Sequence, residues 1–339
     1  MAPQPLAQSR ADQRRFVDRG RETDLIIQGV ATSQPVLLLG ERGSGRTSLL
    51  NHVAWLLARQ KEPRQTVMVS GELASNPSQL LGVLVARVQR LAEPGGSRGR
   101  WIEDLRALSM PDGPFGQVVQ PAIVMELVDL LGERLAALER PPCLMVDGIA
   151  PTVAHGVFGS LRNELWALPS VAWVVAGDSA AEALYLEPPA DAFFERTVRL
   201  GPLTDADAAK LLRAHVPELA DADIEGAIAV ADGNPRRLLR AAGDIRAGIE
   251  PASPAVGELA QRASAIAGPL AGALVGYLAA HGPTSASDEA MLRQIGASRQ
   301  RASQLMHELE SAGLLETIEQ HEPGRRGRPA RRFGLRTPT

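Results

Sequence analysis

A short apolar run that ends in a glycine-rich loop is the feature that most restricts how this chain folds. Residues 36–39 are apolar and lead directly into Gly40, and the loop then contains Gly43 and Gly45. Apolar residues recur at near-helical spacing over residues 49–57. This order predicts a buried strand, a tight loop and a helix N-terminus. Such a turn presents backbone N–H groups and the positive end of a helix dipole to an anion.

One position of the loop departs from the known phosphate-binding pattern. Arg46 stands where G-x-x-x-x-G-K-[ST] has lysine. A guanidinium is planar and forked, whereas an ammonium is a compact point charge, so Arg46 should attract a phosphate without following a transferring phosphoryl group. The alternative is an ordinary glycine turn between a strand and a helix. The loop residues predicted to bind nucleotide are Gly40, Glu41, Arg42, Gly43, Ser44, Gly45, Arg46, Thr47 and Ser48.

Apolar runs alternate with helical patterns as far as residue 200. Strands are predicted at residues 36–39, 66–70, 143–146, 171–176 and 197–200. Helices are predicted at residues 47–59, 79–91, 121–138 and 153–168, with an irregular insertion at residues 93–116. This alternation indicates an α/β fold with a parallel, doubly wound sheet. Helices predicted at residues 204–216, 223–231 and 235–247 then form a small helical lid.

The chain is predicted to consist of four segments. They are a flexible tail at residues 1–15, the α/β core at 16–201, the lid at 202–250 and a further domain at 251–339. A length of 339 residues with 45% hydrophobic content is sufficient for more than one core. No uncharged apolar stretch of about 18 residues occurs, which argues against a membrane span, and no membrane partner is expected. One cysteine, Cys143, and no apolar leader predict a cytoplasmic location.

An acid ends the third predicted strand. Asp147 follows residues 143–146, roughly a hundred positions after the glycine loop. In P-loop ATPases such an aspartate acts with the loop hydroxyl, here Thr47, to hold Mg²⁺. The next residue, Gly148, has no side chain that could activate a water molecule. We therefore expect Thr47 and Asp147 to form the metal site and any hydrolysis to be slow.

Two further motifs flank these features. Phe16-Val17-Asp18-Arg19-Gly20-Arg21-Glu22 precedes the glycine loop, and Gly233-Asn234-Pro235-Arg236 follows the last predicted strand. In this order, over residues 16–245, the set resembles AAA+ ATPases of the branch that includes origin-recognition initiators, transposon helper ATPases and STAND signalling ATPases. The first motif is similar to the box that precedes the loop in that branch, and the second is similar to its sensor-2 element.

The resemblance implies a site for ATP or ADP with Mg²⁺. Arg46 would face the β- and γ-phosphates, and Arg236 would contact phosphate from the lid. Asp178 would lie near the sensor-1 position, and Arg196 is similar to an arginine finger that completes a neighbour's site in a homo-oligomer. Ordinary roles stay open for three of these residues. Arg236 could be a solvated helix arginine, Asp178 a turn residue and Arg196 a charge at the edge of a strand. The candidate catalytic residues are Asp147, Asp178 and Arg196.

The C-terminal segment has a different pattern. Helices are predicted at residues 274–278, 287–295 and 299–311, followed by an extended run at 314–320 and a basic loop. Six arginines and one acid lie between Glu322 and Thr339. This arrangement resembles winged-helix DNA-binding domains, with a sequence similar to MarR- and PadR-like regulators.

In such domains the third helix lies in the major groove of DNA and reads base edges. Arginine and glutamine suit bidentate contacts to guanine and adenine. The residues predicted to read bases are Arg299, Gln300, Ser303 and Gln304. The residues predicted to contact phosphates or the minor groove are Arg325, Arg326, Arg328, Arg331 and Arg332. The alternative is a winged helix that contacts a protein partner.

The sequence thus predicts a nucleotide-binding switch, of AAA+ or STAND type, that binds duplex DNA through its winged helix and hydrolyses ATP weakly or not at all. Two alternatives remain. One is a nucleotide-gated signalling or defence scaffold whose winged helix contacts protein. The other is a transcription regulator whose P-loop domain no longer binds nucleotide.

Overall fold

The chain divides into two compact units. The computed structural model describes residues 4–92, 120–168, 170–249, 254–320 and 330–336. The N-terminal unit comprises Ala2–Pro217 and Asn234–Arg236, and the C-terminal unit comprises Glu218–Gly233 and Arg237–Thr339. The boundary falls within residues 202–250, so the four-segment division stays a prediction.

A five-stranded sheet forms the centre of the N-terminal unit. Its strands are β1 (Val36–Gly40), β2 (Thr66–Ser70), β3 (Cys143–Asp147), β4 (Ala172–Asp178) and β5 (Arg196–Leu200). They are arranged in the order β2-β3-β4-β1-β5, and every neighbouring pair is parallel. The predicted parallel, doubly wound α/β fold is confirmed.

Helices cover both faces of this sheet. The helices of the N-terminal unit are α1 (Arg10–Gln13), α2 (Gly20–Ala31), α3 (Arg46–Leu57), α4 (Pro77–Ala92), α5 (Gln120–Ala136), α6 (Pro151–Ala154), α7 (Arg162–Trp166), α8 (Glu182–Tyr185) and α9 (Asp205–His215). Alternate residues of β1 point to opposite faces: Leu37 and Leu39 pack in the core with α4 and α5, and Val36 and Leu38 in the core with α2 and α3. Because both faces are buried, β1 is apolar at every position before Gly40.

The prediction of one helix over residues 153–168 is wrong. The chain forms α6, a π-helical turn at His155–Gly159 and then α7. Two glycines allow neighbouring segments to approach this turn: a Cβ on Gly156 would lie 2.6 Å from Pro77, and one on Gly159 would lie 3.2 Å from the backbone nitrogen of Ala190. Glycine also weakens a regular helix, so tertiary contacts decide the local conformation.

The segment predicted as a flexible tail contains α1 and contacts α3. The backbone N–H of Leu6 donates to the Ser48 hydroxyl over 3.1 Å, and its carbonyl accepts a hydrogen bond from the Asn51 amide over 2.9 Å. Mobility of this segment stays a prediction. The predicted insertion at residues 93–116 lies outside the described residues.

The C-terminal unit contains helices and a two-stranded antiparallel sheet. Its elements are α10 (Asp221–Ala231), α11 (Pro235–Arg246, which begins in the N-terminal unit), α12 (Pro254–Ala267), α13 (Pro269–His281), α14 (Glu289–Ile295), α15 (Arg299–Ser311), β6 (Leu315–Gln320) and β7 (Ala330–Leu335). Thr284 forms an isolated bridge to Phe333 in β7. One apolar core joins α12–α15 to Leu315 and Phe333. Across the described ranges, no helix has the length and apolarity needed to span a bilayer.

Candidate functional site

The glycine loop joins β1 to α3 through two residues in the left-handed region. Gly43 has φ +93° and Gly45 has φ +98°, conformations that glycine adopts without strain. A Cβ on Gly40 would lie 2.5 Å from the Ser44 hydroxyl, so the loop folds back closely on the end of the strand. Because α3 begins at Arg46, its unpaired backbone N–H groups open onto this loop.

A hydroxyl and a carboxylate meet at the mouth of the loop. The Thr47 hydroxyl donates to Asp147 Oδ2 over 2.6 Å, although the two residues are a hundred positions apart. Burial raises the pKa of Asp147, while the Thr47 hydrogen bond and the charge of Arg46 act to lower it. Carboxylate and hydroxyl oxygens are hard ligands of the kind that Mg²⁺ prefers. The pair predicted as the metal site is therefore assembled in this structure.

Two buried polar atoms of the loop lack a partner. The Ser44 hydroxyl and Nη1 of Arg46 have no hydrogen-bond partner among the described residues. A buried polar atom without a partner costs free energy that a suitable ligand recovers. A phosphate group supplies acceptor oxygens for both atoms, so these two donors suit a phosphate.

The segment Asn234–Arg236 lies directly on the loop. The backbone N–H of Arg236 donates to the Gly43 carbonyl over 3.2 Å, and the Asn234 amide donates to the Arg42 carbonyl over 3.2 Å. A Cβ on Gly43 would lie 2.8 Å from both Asn234 and Arg236. Asn234 was predicted only as a member of the sensor-2-like motif, and its contact with the glycine loop was not predicted.

The two other candidate catalytic residues lie at opposite ends of the parallel strands. Asp178 pairs in register with Gly40, and its carboxylate accepts the Ala180 N–H over 3.0 Å. Arg196 pairs in register with Val36, four residues from the loop end of β1, which is about 13 Å along a strand. Its Nη2 donates to the Gln34 side chain over 3.2 Å. The structure thus brings Asp178, and not Arg196, beside the glycine loop of the same chain.

The motif that precedes the loop is anchored to the end of β5. Arg19 is buried, donates to the Gly201 carbonyl over 2.7 Å and forms an ion pair with Glu22 at 3.3 Å. Phe16 stacks on His52 of α3 with ring centroids 4.0 Å apart. These contacts hold the motif against the core.

The remaining loop candidates have different surroundings. Glu41 and Arg42 are exposed at the loop, while the Ser48 hydroxyl accepts the Leu6 N–H.

In the C-terminal unit, the predicted base-reading residues share one face of α15. They line a shallow depression of about 620 Å³ together with a histidine that the sequence analysis missed: Arg299, Gln300, Ser303, Gln304 and His307. The opposite face of α15 is buried through Ala302, Leu305 and Leu309. The helical spacing from Ser303 to His307 is the signal that would have revealed the histidine.

The predicted phosphate-contacting arginines are only partly described. Arg332 is exposed in β7, beside Asp288. The backbone N–H of Met291, the Thr284 hydroxyl and the charge of Arg332 hold the pKa of Asp288 below its usual value. Arg331 pairs in register with Glu319. Arg325, Arg326 and Arg328 lie outside the described residues.

No protein-family model matches the chain. No curated protein matches it in sequence. Among solved structures, it is similar to the Orc1 protein of Aeropyrum pernix in complex with DNA, with 17% identity, a TM-score of 0.51 and coverage of 94% of this chain and 89% of that one. The N-terminal unit has the AAA+ P-loop core fold.

Two further structures match with lower scores. Cdc6p of Pyrobaculum aerophilum has 16% identity, a TM-score of 0.42 and coverage of 99% of this chain and 91% of that one. The RuvB Holliday junction branch migration motor of Thermotoga maritima has 14% identity, a TM-score of 0.43 and coverage of 92% and 93%. The fold assignment rests on the Orc1 match and on the sheet topology.

Proposed function

We propose that this protein binds ATP or ADP with Mg²⁺ at the glycine loop and acts as a nucleotide-controlled switch with slow hydrolysis. The observation that carries the proposal is the unpaired, buried Nη1 of Arg46 beside the hydrogen-bonded Thr47–Asp147 pair. A plain glycine turn has no need of a hydroxyl–carboxylate pair at its mouth or of a buried guanidinium nitrogen without a partner.

The residues of the loop would have distinct roles in binding. The N–H groups at the start of α3 and the Ser44 hydroxyl would donate to phosphate oxygens, and Arg46 would pair with their charge. Thr47 and Asp147 would hold Mg²⁺, which neutralises phosphate charge when bound. Since phosphoryl transfer depends on positioning, the bulkier guanidinium of Arg46 would allow binding but slow turnover.

Nucleotide retained by natively purified protein, together with calorimetry at high protein concentration, tests this proposal. We expect bound ADP or ATP, little steady-state turnover, and a larger effect of Arg46→Lys on turnover than on affinity. A fast steady-state ATPase in the unaltered chain would contradict slow hydrolysis. No nucleotide binding at all would contradict the switch and favour a regulator with a purely structural P-loop domain.

We further propose that the C-terminal unit is a winged helix that binds duplex DNA. Three helices, the Thr284–Phe333 bridge and the β6–β7 hairpin occur in the order that such a domain requires. An exposed face with one arginine and two glutamines supports base contacts in the major groove. The Aeropyrum pernix Orc1 structure, which includes DNA, supports it at the level of fold. An aromatic content of 4% disfavours single-strand recognition by base stacking.

Salt-dependent binding of the full chain to duplex DNA tests this second proposal. Replacement of Arg325, Arg326, Arg328, Arg331 or Arg332 by alanine should weaken binding to all duplexes and lower the log–log salt slope by about 1. If no duplex is bound at low salt, the module contacts a protein instead.

Assembly is the third part of the proposed function. Arg196 lies at the sheet edge away from its own glycine loop, which is compatible with a role in a neighbour's site. Light scattering should detect a homo-oligomer with a non-hydrolysable ATP analogue, and Arg196→Ala should reduce it. A monomer both with and without the analogue would contradict this role. An assembly that forms equally well with Arg196→Ala would also contradict it.

A further inference from the structure

The turn after β2 lies against the residue that follows Asp147. In the sheet, Ser70 pairs in register with Asp147, so the chain beyond each strand emerges at the same edge. A single 3₁₀ turn, Gly71–Leu73, follows β2. A Cβ on Gly71 would lie 2.7 Å from the Ile149 Cα, so the two backbones are in direct contact.

This contact directs the Glu72 side chain to Gly148. A Cβ built on Gly148 would lie 2.8 Å from Cγ of Glu72 and 3.1 Å from its Oε1. Gly148 has φ +73°, and both its N–H and that of Ile149 donate to the Ala176 carbonyl, which fixes its position. The Glu72 carboxylate therefore occupies the space that a side chain at position 148 would enter.

The Glu72 carboxylate is free to act on a ligand. It is exposed and forms no hydrogen bond or ion pair within the part of the chain that the structure describes. An unpaired carboxylate beside the residues that would hold the metal is chemically suited to orient a water molecule.

We infer that Glu72 is the catalytic residue that activates water for ATP hydrolysis, in the role that Gly148 lacks the side chain to perform. The inference rests on the proposed nucleotide site. The water oxygen bonds to the γ-phosphorus as the bond from that phosphorus to the β–γ bridging oxygen breaks. ADP leaves with the bonding electron pair, and Glu72 accepts the proton that water loses. Two residues depart from the P-loop ATPase pattern, Arg46 in place of lysine and Gly148 in place of an acid. With Glu72 as the base, only Arg46 slows hydrolysis.

The test uses full-length Arg46→Lys protein, in which turnover is measurable, with duplex DNA present. Glu72→Gln is added to it, and Glu133→Gln, an exposed glutamate on α5, is the matched control. General-base catalysis contributes about 10²–10⁴-fold, so Glu72→Gln should lower single-turnover phosphate release by about a hundredfold or more. Calorimetry should give unchanged affinity for Mg²⁺-ATP. After incubation and gel filtration, this variant should retain ATP, whereas the control should retain ADP.

Each outcome has a definite meaning. If Glu72→Gln leaves phosphate release unchanged, the residue is dispensable and the inference is overturned. If Glu72→Gln abolishes ATP binding, the residue is only structural and the inference is likewise overturned. No phosphate release by Arg46→Lys alone also overturns it, because a site with lysine and an active base would hydrolyse ATP. Failure of every protein, including the unaltered chain, to bind nucleotide contradicts the proposed function itself.

Discussion

The glycine loop and the exposed face of α15 are the two candidate binding regions, and they are built differently. The loop is fixed by contacts between distant segments, including Thr47 with Asp147 and Gly43 with Arg236. The α15 face consists of side chains that point away from a core held by other residues of the same helix. Changes in the loop should therefore alter stability and binding together, whereas changes on α15 should alter binding alone.

Gly43→Ala should have the largest effect and tests that coupling in the loop. The left-handed backbone costs a non-glycine residue about 1–2 kcal/mol, and a Cβ 2.8 Å from Asn234 and Arg236 forces repacking. Overpacking adds about 1–3 kcal/mol, so we expect the free energy of unfolding to fall by about 2–5 kcal/mol, with loss of nucleotide binding. Urea denaturation measures the change. Gly201→Ala, where a Cβ would meet nothing within 4 Å, is the control. Equal stability of the two variants would show that the loop is not fixed by these contacts.

Asp147→Asn separates the loop's stability from its ligand binding. Burial raises the pKa of the Asp147 carboxyl above its usual value of 3.8. The carboxyl therefore ionises at a higher pH in the folded than in the unfolded chain, and this difference lowers the stability of the folded state as the pH rises above 3.8. The variant without ligand should therefore melt at an equal or higher temperature at neutral pH. It should lose the stabilisation that bound Mg²⁺-nucleotide gives the unaltered chain, which is about 2.7 kcal/mol at a nucleotide concentration of a hundred times Kd. Asp129→Asn, an exposed acid of α5, should keep it. A normal ligand-induced shift in Asp147→Asn would exclude its metal role.

Arg299→Ala tests the opposite expectation for α15. Its melting temperature should match that of the unaltered chain, while discrimination between DNA sequences should fall by roughly 1–3 kcal/mol for one bidentate contact. Competition binding with a set of duplexes measures this, and Arg293→Ala, an exposed arginine of α14, is the control. An equal loss of affinity for every duplex would show that Arg299 contacts only the DNA backbone.

Asp288→Ala has the smallest expected effect and tests the stability of helix α14, which packs in the same core as α15. Asp288 caps α14 by accepting the N–H groups of Ala290 and Met291. Loss of such a cap costs about 1 kcal/mol, and Asp288→Asn should keep most of it. The lowered pKa of Asp288 means that its contribution is present above the usual value of 3.8 and is lost as the pH falls below it. Urea denaturation of the unaltered chain and of both variants at neutral and acidic pH measures both effects. A difference between the unaltered chain and Asp288→Ala that is the same at both pH values would contradict the assigned cause.

The sheet was predictable because its strands are buried on both faces. Continuous apolar runs such as residues 36–39 and 143–146 carry that information locally, and the structure extends these two by only one residue each. The helix predicted at residues 153–168 was wrong because its conformation depends on Pro77 and Ala190. Helix α12 was also missed. Local spacing does not encode contacts with distant segments.

The same distinction applies to the candidate site. Thr47 and Asp147 were paired from sequence because their roles follow a known order of elements, and the 2.6 Å hydrogen bond agrees with it. Glu72 was missed because its proximity to Gly148 arises only when β2 lies beside β3. The sequence revealed a missing acid at position 148, but no local pattern indicated which carboxylate would take its place.

The single cysteine of the chain has a practical consequence. Cys143 is buried in β3, and burial raises the pKa of its thiol to about 12. Thiolate is the reactive form, so Cys143 should resist alkylation at neutral pH while the protein is folded. A cysteine introduced at an exposed position, for example Gln304→Cys or Leu184→Cys, would then be the only thiol that takes a dye. The unaltered chain is thus already a background for fluorescence labelling, with one dye in either unit.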